Sequence, residues 1–226
     1  MHFRSIRRLA PVASRVARVV ALACLIASAP TVAAHAQLAP DSPRLISPHG
    51  SGGLGVHWLR AATYPGDEGG LIATWAMPGL PDGMRLRGGV GRGVAGENAA
   101  FGGIDLQSSL MRGATLRAFA LDWQTGAGVS VGEYVLITLP LGLSGGVSWT
   151  SGDVWIAPYL TAGLAADFRV GDAAPEREFE VSPSLDVGLD VSFDANRRFV
   201  LRATTSLGDR QAVSVGLALG LGKLPH

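Results

Sequence analysis

Acids and arginines recur at a fixed interval near the C-terminal end of this chain. Asp186, Asp190 and Asp194 are spaced four apart, and Arg198 and Arg202 repeat that spacing. Residues four apart share one face of a β-strand. If residues 195–197 make a three-residue reversal between two strands, Asp194 opposes Arg198 and Asp190 opposes Arg202. Opposite charges directly across a strand pair attract. The chemistry is then electrostatic, a row of ion pairs. Arg85, Arg87, Asp105, Asp122, Asp167, Arg169 and Glu180 occupy matching polar positions elsewhere and can join the same network. In an open channel such a lining would select among ions. In a narrow barrel it packs the interior, because barrels of about eight strands fill with side chains. The packed interior is the reading favoured here.

Motifs for reaction chemistry are weaker. Gly91-Arg-Gly-Val-Ala-Gly96 has the spacing of a dinucleotide loop. That loop needs a helix after it and an acid about twenty residues on, but GENAAFGGIDL follows, a turn and another strand. Gly142-Leu-Ser-Gly-Gly146 matches a nucleophile elbow, which needs a strand-to-helix turn and a downstream His. The only His downstream is His226. Ser144 is better read as a small residue on a strand. His49, His57 and His226 have no zinc-ligand spacing, and no acids have calcium-loop spacing. His57 is the one candidate for a rim catalyst and reads instead as a lumen or interface residue. No enzyme, cofactor or metal is expected.

These charges need elements to carry them. Residues 179–194, FEVSPSLDVGLDVSFD, alternate strictly between an apolar and a polar face. The same period runs through 213–221, 119–123, 104–107 and, with Leu136 as an exception, 135–144. Period two is the signature of a β-strand with two unlike faces. The parse gives ten strands: 53–62, 70–78, 84–95, 100–110, 115–130, 134–149, 154–170, 178–193, 198–207 and 211–222. The connections carry Gly, Asp, Asn or Pro where a tight reversal needs them. GDAAPERE (171–178) is the longest and the best placed for an external contact. Pro140 and Pro158 fall inside strands and suggest bulges. No segment has a capped helical period, and none reaches the apolar length of a membrane helix.

Short sequential turns predict an up-and-down antiparallel barrel, with eight strands the alternative if the first two runs fold differently. Long strands favour membrane spans, which take about 9–11 residues. Aromatics gather at the strand ends: Trp75, Trp149, Trp155, Phe193 and Phe199 toward one rim, Phe101, Trp123, Phe168 and Phe179 toward the other. Two aromatic rows are expected at the two interfaces of a bilayer. Arg60, Arg92 and Arg117, the outward charges, lie near strand ends, where they can snorkel. A soluble barrel or sandwich would use the same alternation with its apolar faces inward around a lipophilic ligand.

The N-terminus reads as an export signal. Five Arg precede the apolar run 19–29, and Ala34-His-Ala36 is a small-x-small cleavage site. Residues 1–36 are expected to be removed, leaving a periplasmic lead-in (37–52), a barrel (53–222) and a short tail (223–226). The whole chain carries 19 basic and 18 acidic residues. Losing five Arg and no acid leaves 14 basic against 18 acidic, a net charge of −4, which gives no support to nucleic-acid binding. The single Cys, Cys24, leaves with the signal. All 31 Gly lie from Gly50 onward, a content that opposes helix and suits a bent sheet or crowded interior.

The signal, the meander of two-faced strands, the short turns and the final strand Gln211-Ala-Val-Ser-Val-Gly-Leu-Ala-Leu-Gly-Leu221 together resemble the small outer-membrane β-barrel proteins of Gram-negative-type bacteria. The resemblance covers about residues 50–222. It implies a monomeric barrel in the outer membrane, with lipid and the barrel assembly machinery as partners. Its role would be that of a non-catalytic envelope component or narrow pore. A membrane-embedded lipid-modifying enzyme is the remote alternative. The chain departs from that class by ending Gly222-Lys-Leu-Pro-His226 rather than on an aromatic residue.

Overall fold

The structure, a computed structural model, describes residues 43–50, 53–61, 69–76, 83–92, 98–112, 118–132, 134–171, 178–194, 196–208 and 210–220. The expected leader (1–36), the tail, Arg117, His226 and most of 171–178 lie outside the described residues, as does the side chain of Arg92.

Ten strands succeed one another: β1 (Gly53–Ala61), β2 (Gly70–Trp75), β3 (Met84–Arg92), β4 (Asn98–Arg112), β5 (Ala118–Val131), β6 (Val135–Ser151), β7 (Val154–Val170), β8 (Phe179–Ser192), β9 (Phe199–Gly208) and β10 (Ala212–Gly220). Each pairs antiparallel with its chain neighbours, and β10 returns to pair with β1. Closure leaves no unpaired edge. The described residues thus form the ten-stranded up-and-down barrel that the alternation implies, rather than an eight-stranded one. The strands around Gly91–Gly96 are β3 and β4, so no helix follows that motif. Gly142–Gly146 lies inside β6 and forms no elbow.

The alternation sorts the barrel inside out. On β8, Ser182, Asp186 and Asp190 are buried, whereas Val181, Leu185 and Val187 are exposed. Leu139, Leu141 and Leu143 on β6 and Leu160 and Leu164 on β7 also face outward and are exposed. Among the described residues the interior holds charges, hydroxyls, scattered apolar side chains and two small apolar clusters. One comprises Leu45, Leu59, Ile72, Ala99, Phe101 and Ala212. The other comprises Trp155, Ala157 and Val200.

Three inward rings lie across glycines of the adjacent strand: His57 on Gly216, Phe101 on Gly89 and Tyr159 on Gly188. A glycine in a strand lets a neighbouring group approach closely. The crowding that the glycine content suggested is therefore real at these three positions.

The structure corrects several expectations. Trp155 is buried inside the barrel, beneath the guanidinium of Arg197 at 4.5 Å from the ring centroid, a cation–π contact. Phe101 also points inward. Trp123 is half-buried within β5 rather than at its end. Trp75, Trp149, Phe193 and Phe199 are exposed near the end where Gly53 pairs with Gly220, and Phe119 at the start of β5 joins them. Phe168 and Phe179 are exposed toward the opposite end, with ring centroids 5.0 Å apart. Pro140 and Pro158 do not shift the register. The ladder skips a few positions beside them, and the hydroxyl of Thr125 donates to the Pro140 carbonyl at 2.8 Å. The shift in register falls instead between Ser109 and Met111.

Candidate functional site

The β8–β9 turn sets the register of the charged lining. Asp194 accepts from the backbone N–H of Asn196 at 3.1 Å and of Arg198 at 3.2 Å. Arg197 takes a left-handed φ of 54° to complete the reversal. The register then places Asp190 opposite Arg202. Arg202 Nε and Nη2 donate to the two carboxylate oxygens of Asp190 at 2.7 and 2.8 Å, a bidentate pair that is almost fully buried. Such forks are the stronger class of ion pair.

The other charges resolve into distinct contacts. Arg87, rather than the directly opposed Arg85, pairs with Asp105 at 2.8 Å. Asp167 accepts from the Thr138 hydroxyl at 2.7 Å and from Arg210. Asp122 accepts from Gln107, and Asp186 from the Ser206 hydroxyl. Arg169 pairs with Glu180 in a half-buried position. Arg198 departs from the expectation: it stands at the rim, exposed, and pairs with Asp194 there. The turn itself holds Asp194 outside the lumen, so its partner stays outside too.

Arg210 is one of two inward charges, with Arg44, that the strand alternation does not reveal. It sits in the β9–β10 turn and reaches Asp167 on β7. Its turn residues, Leu-Gly-Asp-Arg, marked a reversal but gave no sign that one of them folds inward.

The larger omission is the segment before β1. The sequence reads 37–52 as a lead-in, but residues 43–48 are buried inside the barrel. The Leu45 carbonyl accepts from Arg85 Nη1 on β3 at 2.7 Å and from Arg202 Nη1 on β9 at 2.5 Å. The Ser47 carbonyl faces Gln107 Nε2 on β4 at 3.4 Å. Arg44 donates to the carbonyls of Leu141 on β6 and Leu164 on β7, each at 3.3 Å. Its guanidinium lies over Gly142 and Gly163, which face each other across those strands. Pro48 sits against Gly146. The Leu45 side chain fills the first apolar cluster.

Ser144 accepts from the Thr161 hydroxyl, and His57, fully buried, makes no hydrogen bond to a Ser or an acid. Ser144 and His57 are thus not brought together as a nucleophile and base. Among the described residues no group of three His, Cys, Asp or Glu could hold a metal ion. The convergent constellation is the plugged lumen: wall arginines turned inward onto acids and onto the main chain of residues 43–50. No protein-family model matches the chain, and no curated protein matches it in sequence.

Proposed function

We propose that this chain is an exported, monomeric outer-membrane β-barrel, a non-catalytic envelope component whose lumen is closed by packed charge and by residues 43–50. The observation that carries the reading is the inverted burial: Asp122, Asp186, Asp190 and Arg202 inside, and large apolar side chains such as Leu141, Leu164 and Val187 outside. In water an apolar belt around the whole barrel is an aggregation liability. Among acyl chains it is well solvated, and a closed barrel leaves no sheet edge open there.

Strand length supports the same placement. β4 to β8 run 14 to 17 residues, beyond the ~9–11 that a tilted membrane strand takes. Exposed aromatics toward both ends match interfacial anchors. On this reading residues 1–36 direct export, lipid contacts the apolar belt, and the barrel assembly machinery inserts the chain.

The test is fractionation of the expressed chain together with gel mobility before and after heating. Cofractionation with outer membranes and heat-dependent mobility are the expected results. Recovery as a soluble monomer without detergent defeats the reading.

A further inference from the structure

We infer that the lumen is a binding site for a peptide of the form Arg-Leu-Ile-Ser-Pro, and that residues 43–50 occupy it as a tethered, displaceable ligand. The inference deepens the closed-lumen reading but does not depend on membrane placement.

Four observations carry it. First, the wall is complete without the segment. Every strand is paired on both sides, and four ion pairs close between wall residues alone: Arg87–Asp105, Arg169–Glu180, Arg202–Asp190 and Arg210–Asp167. Second, residues 43–50 belong to no strand ladder. Wall side chains from β3, β4 and β9 reach the carbonyls of Leu45 and Ser47 instead, as a receptor holds the main chain of a peptide ligand. Third, the wall provides shaped places for particular side chains. Leu45 packs in one apolar cluster with Leu59, Ile72, Ala99, Phe101 and Ala212. A side chain at Gly142 or Gly163 would meet the Arg44 guanidinium, and one at Gly146 would meet Pro48.

The fourth observation is charge. Among the described inward residues the wall offers five arginines (Arg85, Arg87, Arg169, Arg202, Arg210) and six acids (Asp105, Asp122, Asp167, Glu180, Asp186, Asp190). Arg44 brings the sixth guanidinium, so the occupant balances the formal charge of its container. Arg85 shows the dependence most directly. It is buried, and the hydrogen bond it donates goes to Leu45 of the segment. A ligand that offers a cation, an aliphatic side chain and a carbonyl in this order satisfies the site; vacating it opens the lumen.

The experiment uses the full chain, folded intact, with a protease site replacing residues 51–52. After cutting, a fluorescent peptide of residues 43–50 is added in excess and its retention on the barrel is measured in detergent. The labelled peptide is expected to exchange with the severed segment and to bind saturably. A peptide carrying Leu45→Asp or Arg44→Ala should bind at least about tenfold more weakly, or about 1.4 kcal/mol. The change is in the peptide, so barrel folding is not in question. Absence of exchange, or equal binding of the altered peptides, overturns the inference.

A second arm records conductance in planar bilayers. The cut barrel, washed free of its segment, should conduct, and added peptide should close it. A barrel that inserts and is washed free yet stays closed overturns the gating half of the inference. A barrel that binds peptide selectively but never inserts leaves the binding site standing and defeats the membrane reading.

Discussion

The ring of Tyr159 on β7 lies where a side chain at Gly188 on β8 would stand. Its hydroxyl shares a hydrogen bond of 2.9 Å with Thr204 on β9. One side chain thus ties three strands together from within. Gly188→Ala must displace a buried ring and is expected to cost about 1–3 kcal/mol, the usual range for overpacking. Tyr159→Phe keeps the ring and loses the bond, for about 0.5–1.5 kcal/mol. Urea unfolding of the refolded barrel measures both. A Gly188→Ala barrel as stable as the parent would mean the ring has room to move.

Asp190 and Arg202 form a bidentate ion pair in the interior. Removing Asp190 leaves Arg202 buried with only the Leu45 carbonyl, so Asp190→Ala is expected to cost about 3–5 kcal/mol, as breaking buried pairs does. Arg202→Ala and the double variant complete a cycle, and the expected coupling exceeds about 1 kcal/mol. Zero coupling would sink the pairing.

Asp194 gives the β8–β9 turn a pH dependence. The backbone N–H of Asn196, then the backbone N–H and guanidinium of Arg198, hold its carboxyl below the ordinary aspartate range. A lowered folded-state pKa stabilises above the unfolded value, about 3.9. That contribution is lost as pH falls through the folded value. NMR titration should place the midpoint below about 3.9. Arg198→Ala should raise it part of the way, since the Asn196 bond remains. A parent midpoint at or above the ordinary value would show that these bonds do not form in solution.

The outer face can be tested by depth. Leu141, within β6, faces outward and is exposed, and Phe193 lies beyond the end of β8. In a bilayer, Leu141→Arg should cost about 2–4 kcal/mol, whereas Phe193→Arg should cost only about 0–1. Unfolding from liposomes reads the difference. Near-neutral effects at both positions would mean that the belt faces water.

Most of the barrel was legible because period-two alternation is a local signal. FEVSPSLDVGLDVSFD states its own faces, and the four-residue spacing of Asp190, Asp194, Arg198 and Arg202 carried the register of β8 on β9. What stayed hidden depends on distant partners. Trp155 looks like an interfacial anchor because it is aromatic and near a strand end. Inside the barrel it finds Arg197 and Val200, more than forty residues further along the chain, beside Ala157 of its own strand. Arg198 looked like a lumen charge because spacing cannot show that its aspartate has been claimed by a turn. Residues 43–50 carry two prolines and no period, so they read as a linker. An enclosed segment needs no period, since wall contacts surround it on every side.

The seam between β1 and β10 makes the first strand wait for the last. Gly53 meets Gly220 only after every intervening strand has been made, and contacts so distant in sequence are slow to form. Until then the nascent sheet has two open edges, each able to pair with a stranger. Residues 43–50 adjoin one of those edges. A sheet that curls while they rest on its concave side encloses them without any threading. The timing of the final strand therefore decides whether the barrel is born shut.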